Sequence, residues 1–190
     1  MDNPNPHSFL DGLVYEDHLA LQWNTIEARP DAIERVVLED SNLEILRTVF
    51  ALGDYYAESV DEPVNVAQEL TRLDFKLNLV LDLVGEVLSY YHELPPRIPV
   101  RLGAQGIQWE AAQAPPPQGL VSIELYLNVR YPRALRLIGR VQSVTPLAQG
   151  LRSVVMFEDI GEAAQDMLEK IIFRHHRRSI ALARRNITPH

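Results

Sequence analysis

Between Val66 and Tyr91 the chain reads VAQELTRLDFKLNLVLDLVGEVLSYY. Large apolar residues recur through this stretch in alternating steps of four and three, at Val66, Leu70, Leu73, Leu77, Val80, Val84, Val87 and Tyr91. That spacing places them along one side of a helix, as the a and d positions of a heptad repeat. The stretch therefore predicts a long helix within residues 61–94, through which copies of the chain associate.

The composition of the two seam layers favours four helices. The a layer contains Leu70 and Leu77, whereas three of the four d positions are valine. In parallel coiled coils, leucine at a with a β-branched residue at d favours tetramers. Further leucines widen the apolar stripe at the flanking e and g positions: Leu81, Leu83 and Leu88. We expect a homotetramer; the alternative is a monomeric domain that buries this helix in its own core.

Length and composition indicate a folded, soluble chain. It has 190 residues, of which 46% are hydrophobic, enough for one domain with or without an oligomerisation arm. It contains no cysteine, which excludes disulfides, thiolate metal sites and cysteine nucleophiles. The start lacks the basic and then apolar pattern of a signal peptide, and no uncharged apolar run reaches about 18 residues. We expect a cytoplasmic protein that does not insert into membranes.

Charge is unevenly distributed along the chain. The net charge is −8, yet residues 170–190 contain six Lys or Arg and no Asp or Glu. A basic end can bind nucleic acid or an anionic surface, but the acidic remainder of the chain argues against this. We interpret the cations instead as residues that stabilise a helix C-terminus. Nucleic-acid partners are therefore not expected.

Two elements are predicted ahead of the heptad stretch. Alternating apolar residues predict a short strand over His18–Trp23. A helix is predicted over Asp31–Tyr55, with a new start at Asn42, because Ser41 and Glu44 have capping-box spacing. These elements make up an N-terminal segment of residues 1–60.

The pattern changes after the heptad stretch. Pro95 and Pro96 end the helix, because proline cannot continue it. Short alternating runs separated by Gly and Pro then predict five strands, Ile98–Leu102, Gly106–Trp109, Val121–Leu127, Leu135–Val141 and Arg152–Phe157. Antiparallel strands of this kind close naturally as a small barrel, which leaves no bare edge. A helix over Gly161–Arg185 completes a unit of residues 95–190, and the predicted fold class is α+β.

Residues typical of catalysis or metal binding form no recognisable motif. The sequence lacks G-x-S-x-G, H-E-x-x-H and glycine-rich phosphate-binding patterns. Adjacent carboxylates, as at Glu16–Asp17 and Glu158–Asp159, are interpreted as solvent-facing charge. His175 and His176 lie on different faces of a helix and do not form a metal pair, and Trp109 is assigned to packing. We expect the chain not to be an enzyme and to hold no metal.

Several segments resemble a known family. They include the two-glycine turn of Arg101–Trp109 (RLGAQGIQW), the Pro117–Gly119 turn and Val155–Asp159 (VMFED) before the last helix. Their order resembles the PilZ domain, the bacterial cyclic di-GMP receptor barrel. The heptad stretch with LDFKLNL at 73–79, and FRHHRR at 173–178, resemble the atypical, tetrameric PilZ family. The resemblance implies a bacterial signalling role.

The resemblance also implies where cyclic di-GMP would bind. PilZ receptors use an Arg-x-x-x-Arg motif ahead of the barrel, whose forked guanidinium groups grip guanine and phosphate, and an Asp/Asn-x-Ser-x-x-Gly motif in a strand turn. The second motif falls on Arg101, Gly103 and Gly106, and only Gly106 matches. Arg97 and Arg101 have the spacing of the first motif but occupy a predicted strand. We therefore expect a degenerate site and no cofactor.

Two hypotheses for function follow. The first is a non-enzymatic regulatory adaptor that displays four barrels to protein partners, which raises their effective concentration. The second is a genuine cyclic di-GMP receptor that uses arginines outside the standard motif: Arg97, Arg101, Arg174, Arg177 and Arg178.

Overall fold

The computed structural model describes residues 12–54, 94–128 and 131–186, and nine positions in the heptad stretch: 70, 73, 76, 77, 79, 80, 83, 84 and 87. The side chains at 53, 54 and 182–186 lie outside this description. Elements with defined bounds follow in the order β1 (Tyr15–Thr25), α1 (Ala32–Asp54), β2 (Arg97–Leu102), β3 (Gly106–Ala111), β4 (Leu120–Tyr126), β5 (Leu135–Pro146), β6 (Leu151–Phe157) and α2 (Glu162–Asn186).

The strands close into an antiparallel barrel in the order β1-β2-β3-β6-β5-β4. β1 completes the ring, because it pairs with β2 through Leu19 opposite Ile98 and with β4 through Leu21 opposite Leu125. The five strands predicted after the heptad stretch are all present, and the strand predicted at His18–Trp23 is the sixth. The prediction of an α+β fold built on a small barrel is therefore confirmed.

Alternation along the strands fills the barrel with apolar side chains. On β4, Val121, Ile123 and Leu125 are fully buried, and the residues between them are partly exposed. Trp109 on β3 is also fully buried. Its assignment to packing is therefore confirmed, and the same inward face continues around the ring.

α1 is one continuous helix, so the predicted new start at Asn42 is wrong. The helix begins after Asp31, whose Oδ1 accepts hydrogen bonds from the backbone N–H groups of Ile33 and Glu34, both at 2.8 Å. Glu34 Oε2 in turn accepts a hydrogen bond from the N–H of Asp31 at 3.0 Å. The capping box therefore lies at positions 31 and 34, ten residues ahead of the predicted one.

α2 packs against α1 and β1. Its buried stripe consists of Ala164, Leu168, Ile171 and Ile172. Arg174 places its guanidinium carbon 3.4 Å from the ring centroid of Phe50 and donates a hydrogen bond to the Phe50 carbonyl oxygen. This basic residue therefore does lie near a helix C-terminus, that of α1, where the helix dipole favours a cation.

Candidate functional site

The apolar ridge of the heptad stretch is exposed in the single chain. All nine described positions between 70 and 87 are helical. Six seam residues are each between 49% and 56% exposed: Leu70, Leu73, Leu77, Val80, Val84 and Val87. The other two, Val66 and Tyr91, lie outside the described residues. The described part of the chain therefore leaves the ridge half open to water, which disfavours its use as the core of a monomer.

Arg97 and Arg101 face acidic residues of the neighbouring strand. Arg97 Nε donates a hydrogen bond to the His18 carbonyl oxygen at 2.7 Å, and its Nη2 lies 3.9 Å from Asp17 Oδ1. Arg101 Nε donates to Glu16 Oε1 at 2.7 Å. The two arginines are four residues apart on one strand, roughly 13 Å at about 3.3 Å per residue. Each guanidinium is thus engaged at its own carboxylate or carbonyl on β1.

The two-glycine turn is closed by its own backbone. Gly103 N–H donates to the Gly106 carbonyl oxygen at 2.9 Å, and Phe157 N–H donates to the Gln105 carbonyl oxygen at 2.8 Å. Gly106 itself is buried at the start of β3, opposite Met156. The structure therefore brings Arg101 and Gly106 to the two sides of one turn and leaves Arg97 further along β2.

Residues 1–14, which precede β1, contain no Arg-x-x-x-Arg motif. The barrel begins with β1 at Tyr15, and residues 1–14 contain no Arg or Lys. The spacing of Arg97 and Arg101 occurs inside the barrel instead. Forked arginine bonds to a nucleotide are therefore not available from residues 1–14.

Glu158 and Asp159 both pair with arginines, and the interpretation as solvent-facing charge is wrong for Glu158, whereas Asp159 is exposed. Arg140 Nε donates to Glu158 Oε1 at 2.8 Å, and Arg29 Nη2 lies 2.7 Å from Glu158 Oε2. Arg35 Nη1 lies 3.7 Å from Asp159 Oδ1. The side chain of Glu158 is only 18% exposed. This network joins the end of β6 to the segment around α1.

Tyr15 and His175 form a contact that the sequence did not indicate. Their rings stack at a centroid distance of 3.6 Å with an interplanar angle of 21°, which joins β1 to α2. Burial, with a smaller contribution from Asp17, raises the pKa of Tyr15 to about 12. Burial also lowers the pKa of His175. The FRHHRR motif contained the histidine, but nothing local to it indicated a partner on a strand 160 positions earlier.

A cleft of about 430 Å³ lies beside the two-glycine turn. Its walls include Leu13, Ala104, Gln105, Glu169, Ile172 and Phe173. Glu169 is the one charged residue among the described residues that line it. A carboxylate in this position repels a phosphate group.

The described residues lack two further features, a metal site and a membrane-spanning helix. Within residues 12–54, 94–128, 131–186 and the nine heptad positions, no three His, Cys, Asp or Glu side chains are grouped to hold a metal ion. In the same part of the chain, no helix has the length and apolar character needed to cross a membrane.

Comparison with known proteins identifies the family. A family model described as "Atypical PilZ domain, cyclic di-GMP receptor" matches residues 46–185. The chain belongs to the atypical PilZ family. This PilZ chain is also similar to the crystal structure of a pathogenic protein from Xanthomonas campestris, described as a new tetrameric PilZ domain self-assembled via an unusual helical bundle. The two share 27% identity over 90% of this chain and 91% of that one, with a TM-score of 0.69. Among curated proteins, no relative matches the sequence.

Proposed function

We propose that this PilZ chain is a non-enzymatic bacterial signalling adaptor that assembles as a tetramer through its heptad stretch and has lost the standard cyclic di-GMP site. The observation that carries the proposal is the ridge of Leu70, Leu77 and their seam neighbours, each about half exposed in the single chain. Full burial of a large aliphatic side chain contributes about 1.5–3 kcal/mol. Eight seam positions per chain thus supply ample free energy for association.

The order of the tetramer rests on two supports. The sequence places leucine at a and valine at most d positions, which favours four strands. A similar PilZ structure is described as tetrameric and assembled through a helical bundle. Four barrels joined in this way present any partner with repeated binding surfaces, which increases avidity without a stronger contact.

The loss of the nucleotide site rests on charge and on motif residues. Arg97 and Arg101 would each have to leave a partner on β1 to reach a nucleotide. The places of the motif Asp/Asn and Ser are held by Arg101 and Gly103, so the polar side chains that would hold the base are missing. Glu169 adds negative charge to the adjacent cleft. Together these features oppose the binding of a dianionic nucleotide.

Assembly is tested by light scattering on the purified chain at micromolar concentration. The expected mass is four times the 21.6 kDa of one chain. The double substitution Leu73→Glu with Val80→Glu places charges in the seam and should reduce the mass to that of a monomer or dimer. Thr71→Glu with Asn78→Glu is the matched control, since it adds the same charges at outer b positions and should leave the tetramer intact. A monomeric wild type would refute the proposal.

A genuine cyclic di-GMP receptor remains the second candidate, because the matching family model is described as a cyclic di-GMP receptor. Calorimetric titration separates the two: the adaptor proposal expects no heat and no thermal shift at high micromolar nucleotide, since a bound ligand would stabilise the fold. If heat is measured, its loss on Arg97→Ala and Arg101→Ala would assign binding to these arginines. Binding that survives both substitutions would point to the basic residues of α2.

A further inference from the structure

The cleft beside the two-glycine turn combines apolar walls with one negative charge. Leu13 is 47% and Phe173 51% exposed, although both are large apolar residues, and Ile172 forms a buried floor. A volume of about 430 Å³ is within the usual range for ligand clefts, roughly 300–1,000 Å³. Exposed apolar side chains around a concave surface are typical of a binding site.

The charge that lines the cleft is negative. Glu169 is the one charged residue that lines it among the described residues. Glu169 is exposed. Two basic residues of α2 lie close by without lining the cleft: Lys170 follows Glu169 in the chain, and Arg177 places its guanidinium carbon 5.8 Å from the Phe173 ring centroid. Arg177 lies one turn beyond the residues that line the cleft.

The turn that forms the other wall is held rigidly. The Gln105 carbonyl oxygen is occupied by the N–H of Phe157, and Gly103 bonds to Gly106 across the turn. The side chain of Gln105 is exposed at the rim, where an amide can bond a peptide backbone. A preformed wall reduces the entropy lost when a ligand binds.

We propose that this cleft is a docking site for a segment of a partner protein in which a large apolar side chain neighbours a lysine or an arginine. The apolar side chain packs between Leu13, Ile172 and Phe173, and the cation lies at Glu169. The inference rests on the proposed adaptor function in one respect, namely that the molecule bound in the cleft is a protein. Charge complementarity at Glu169 is what distinguishes this occupant from a nucleotide.

The test uses the full chain with labelled methyl groups and two peptides, acetylated and amidated: AKFLA and AEFLA. AKFLA should shift the NMR signals of Leu13 and Ile172, whereas AEFLA should bind more weakly. Glu169→Gln should weaken AKFLA binding by about two- to five-fold, the range of an exposed ion pair. The variant should then bind AKFLA and AEFLA with similar affinity. Glu162→Gln is the matched control, since it removes the same charge two turns away and should leave both affinities nearly unchanged.

Equal affinity of the two peptides for the wild type, or no effect of Glu169→Gln, would overturn the proposal. Phe173→Ala should weaken both peptides, because it removes an apolar wall without changing charge. Light scattering on the same samples keeps this test separate from that of assembly, since neither position lies in the heptad. If Glu169→Gln lowers the measured mass of the assembly, the cleft is a contact between copies of the chain, and the proposed partner site is overturned. If the wild type is monomeric but still binds AKFLA, only the proposed tetramer is refuted.

Discussion

Asn42 on α1 holds the main chain of Arg136 on β5 with two hydrogen bonds. Asn42 Nδ2 donates to the Arg136 carbonyl oxygen at 2.6 Å, and the Arg136 N–H donates to Asn42 Oδ1 at 3.0 Å. β5 extends past the end of β6, whose last residue, Phe157, pairs with Gly139. Asn42 therefore supplies the hydrogen bonds that a neighbouring strand would otherwise make, and it attaches α1 to the barrel.

The Asn42 contact predicts a large cost for its removal. Asn42 is 6% exposed, so Asn42→Ala leaves a backbone N–H and a backbone C=O without partners at a site that water reaches poorly. We expect a loss of about 2–4 kcal/mol in the free energy of unfolding, measured in urea. Arg47→Ala, at an exposed position of the same helix, is the control and should cost far less. Similar losses for both variants would contradict the role assigned to the asparagine.

The start of α1 predicts opposite results for two residues that both have capping-box spacing. Asp31→Ala removes the acceptor of two N–H groups and should cost about 0.5–2 kcal/mol. Ser41→Ala lies inside the continuous helix and should be neutral or slightly stabilising, since alanine has the higher helix propensity. Thermal unfolding of both variants provides the comparison. A greater loss of stability in Ser41→Ala than in Asp31→Ala would instead support a new helix start at Asn42.

These two positions show what the sequence could indicate and what it could not. Asp31 with Glu34 and Ser41 with Glu44 have equivalent spacing, so the local pattern alone does not separate a true cap from a helix interior. Tertiary packing decides which of the two pairs caps the helix. Asn42, next to Ser41, has to face Arg136, which lies 94 residues away in the chain. The strands were easier to predict, since alternation such as that of Val121 and Ile123 is a local signal.

Gly139 predicts a barrel that does not tolerate added volume. A Cβ atom there would lie 2.4 Å from Val155 Cγ1 and 2.7 Å from the Met156 carbonyl oxygen. Gly139→Ala should therefore lower the free energy of unfolding by about 1–3 kcal/mol, as overpacked interiors do. Gly12→Ala is the matched control, because no atom lies within 4 Å of the added carbon. An equal effect of both substitutions in urea unfolding would refute the tight packing of β5 on β6.

The candidate site was predictable only where its signal was local. The heptad spacing identified the residues of the ridge, including Leu73 and Val80, and the resemblance located the turn at Gly106. The pairing of Arg101 with Glu16, 85 positions apart in the chain, depends on the register of β1 against β2. The cleft likewise requires Leu13 and Phe173 to meet from opposite ends of the chain, so no pattern in either segment could indicate it.

The stack of Tyr15 on His175 predicts that docking of α2 weakens in acid. Burial is the main cause that lowers the pKa of His175, Arg178 and His176 lower it further, and Asp17 opposes them. The folded chain therefore prefers the neutral imidazole, and the stability this provides is present above the unfolded pKa, near 6.5, and is lost as the pH falls below it.

The free energy of unfolding in urea should decrease between pH 7.5 and pH 5.5 in the wild type. His175→Phe keeps an aromatic ring against Tyr15 but does not titrate, so it should retain stability at pH 7.5 and show a smaller decrease. Because burial dominates over charge, 0.5 M salt should leave most of the wild-type decrease in place. An identical pH dependence in His175→Phe and the wild type would show that protonation of this histidine does not control the contact between β1 and α2.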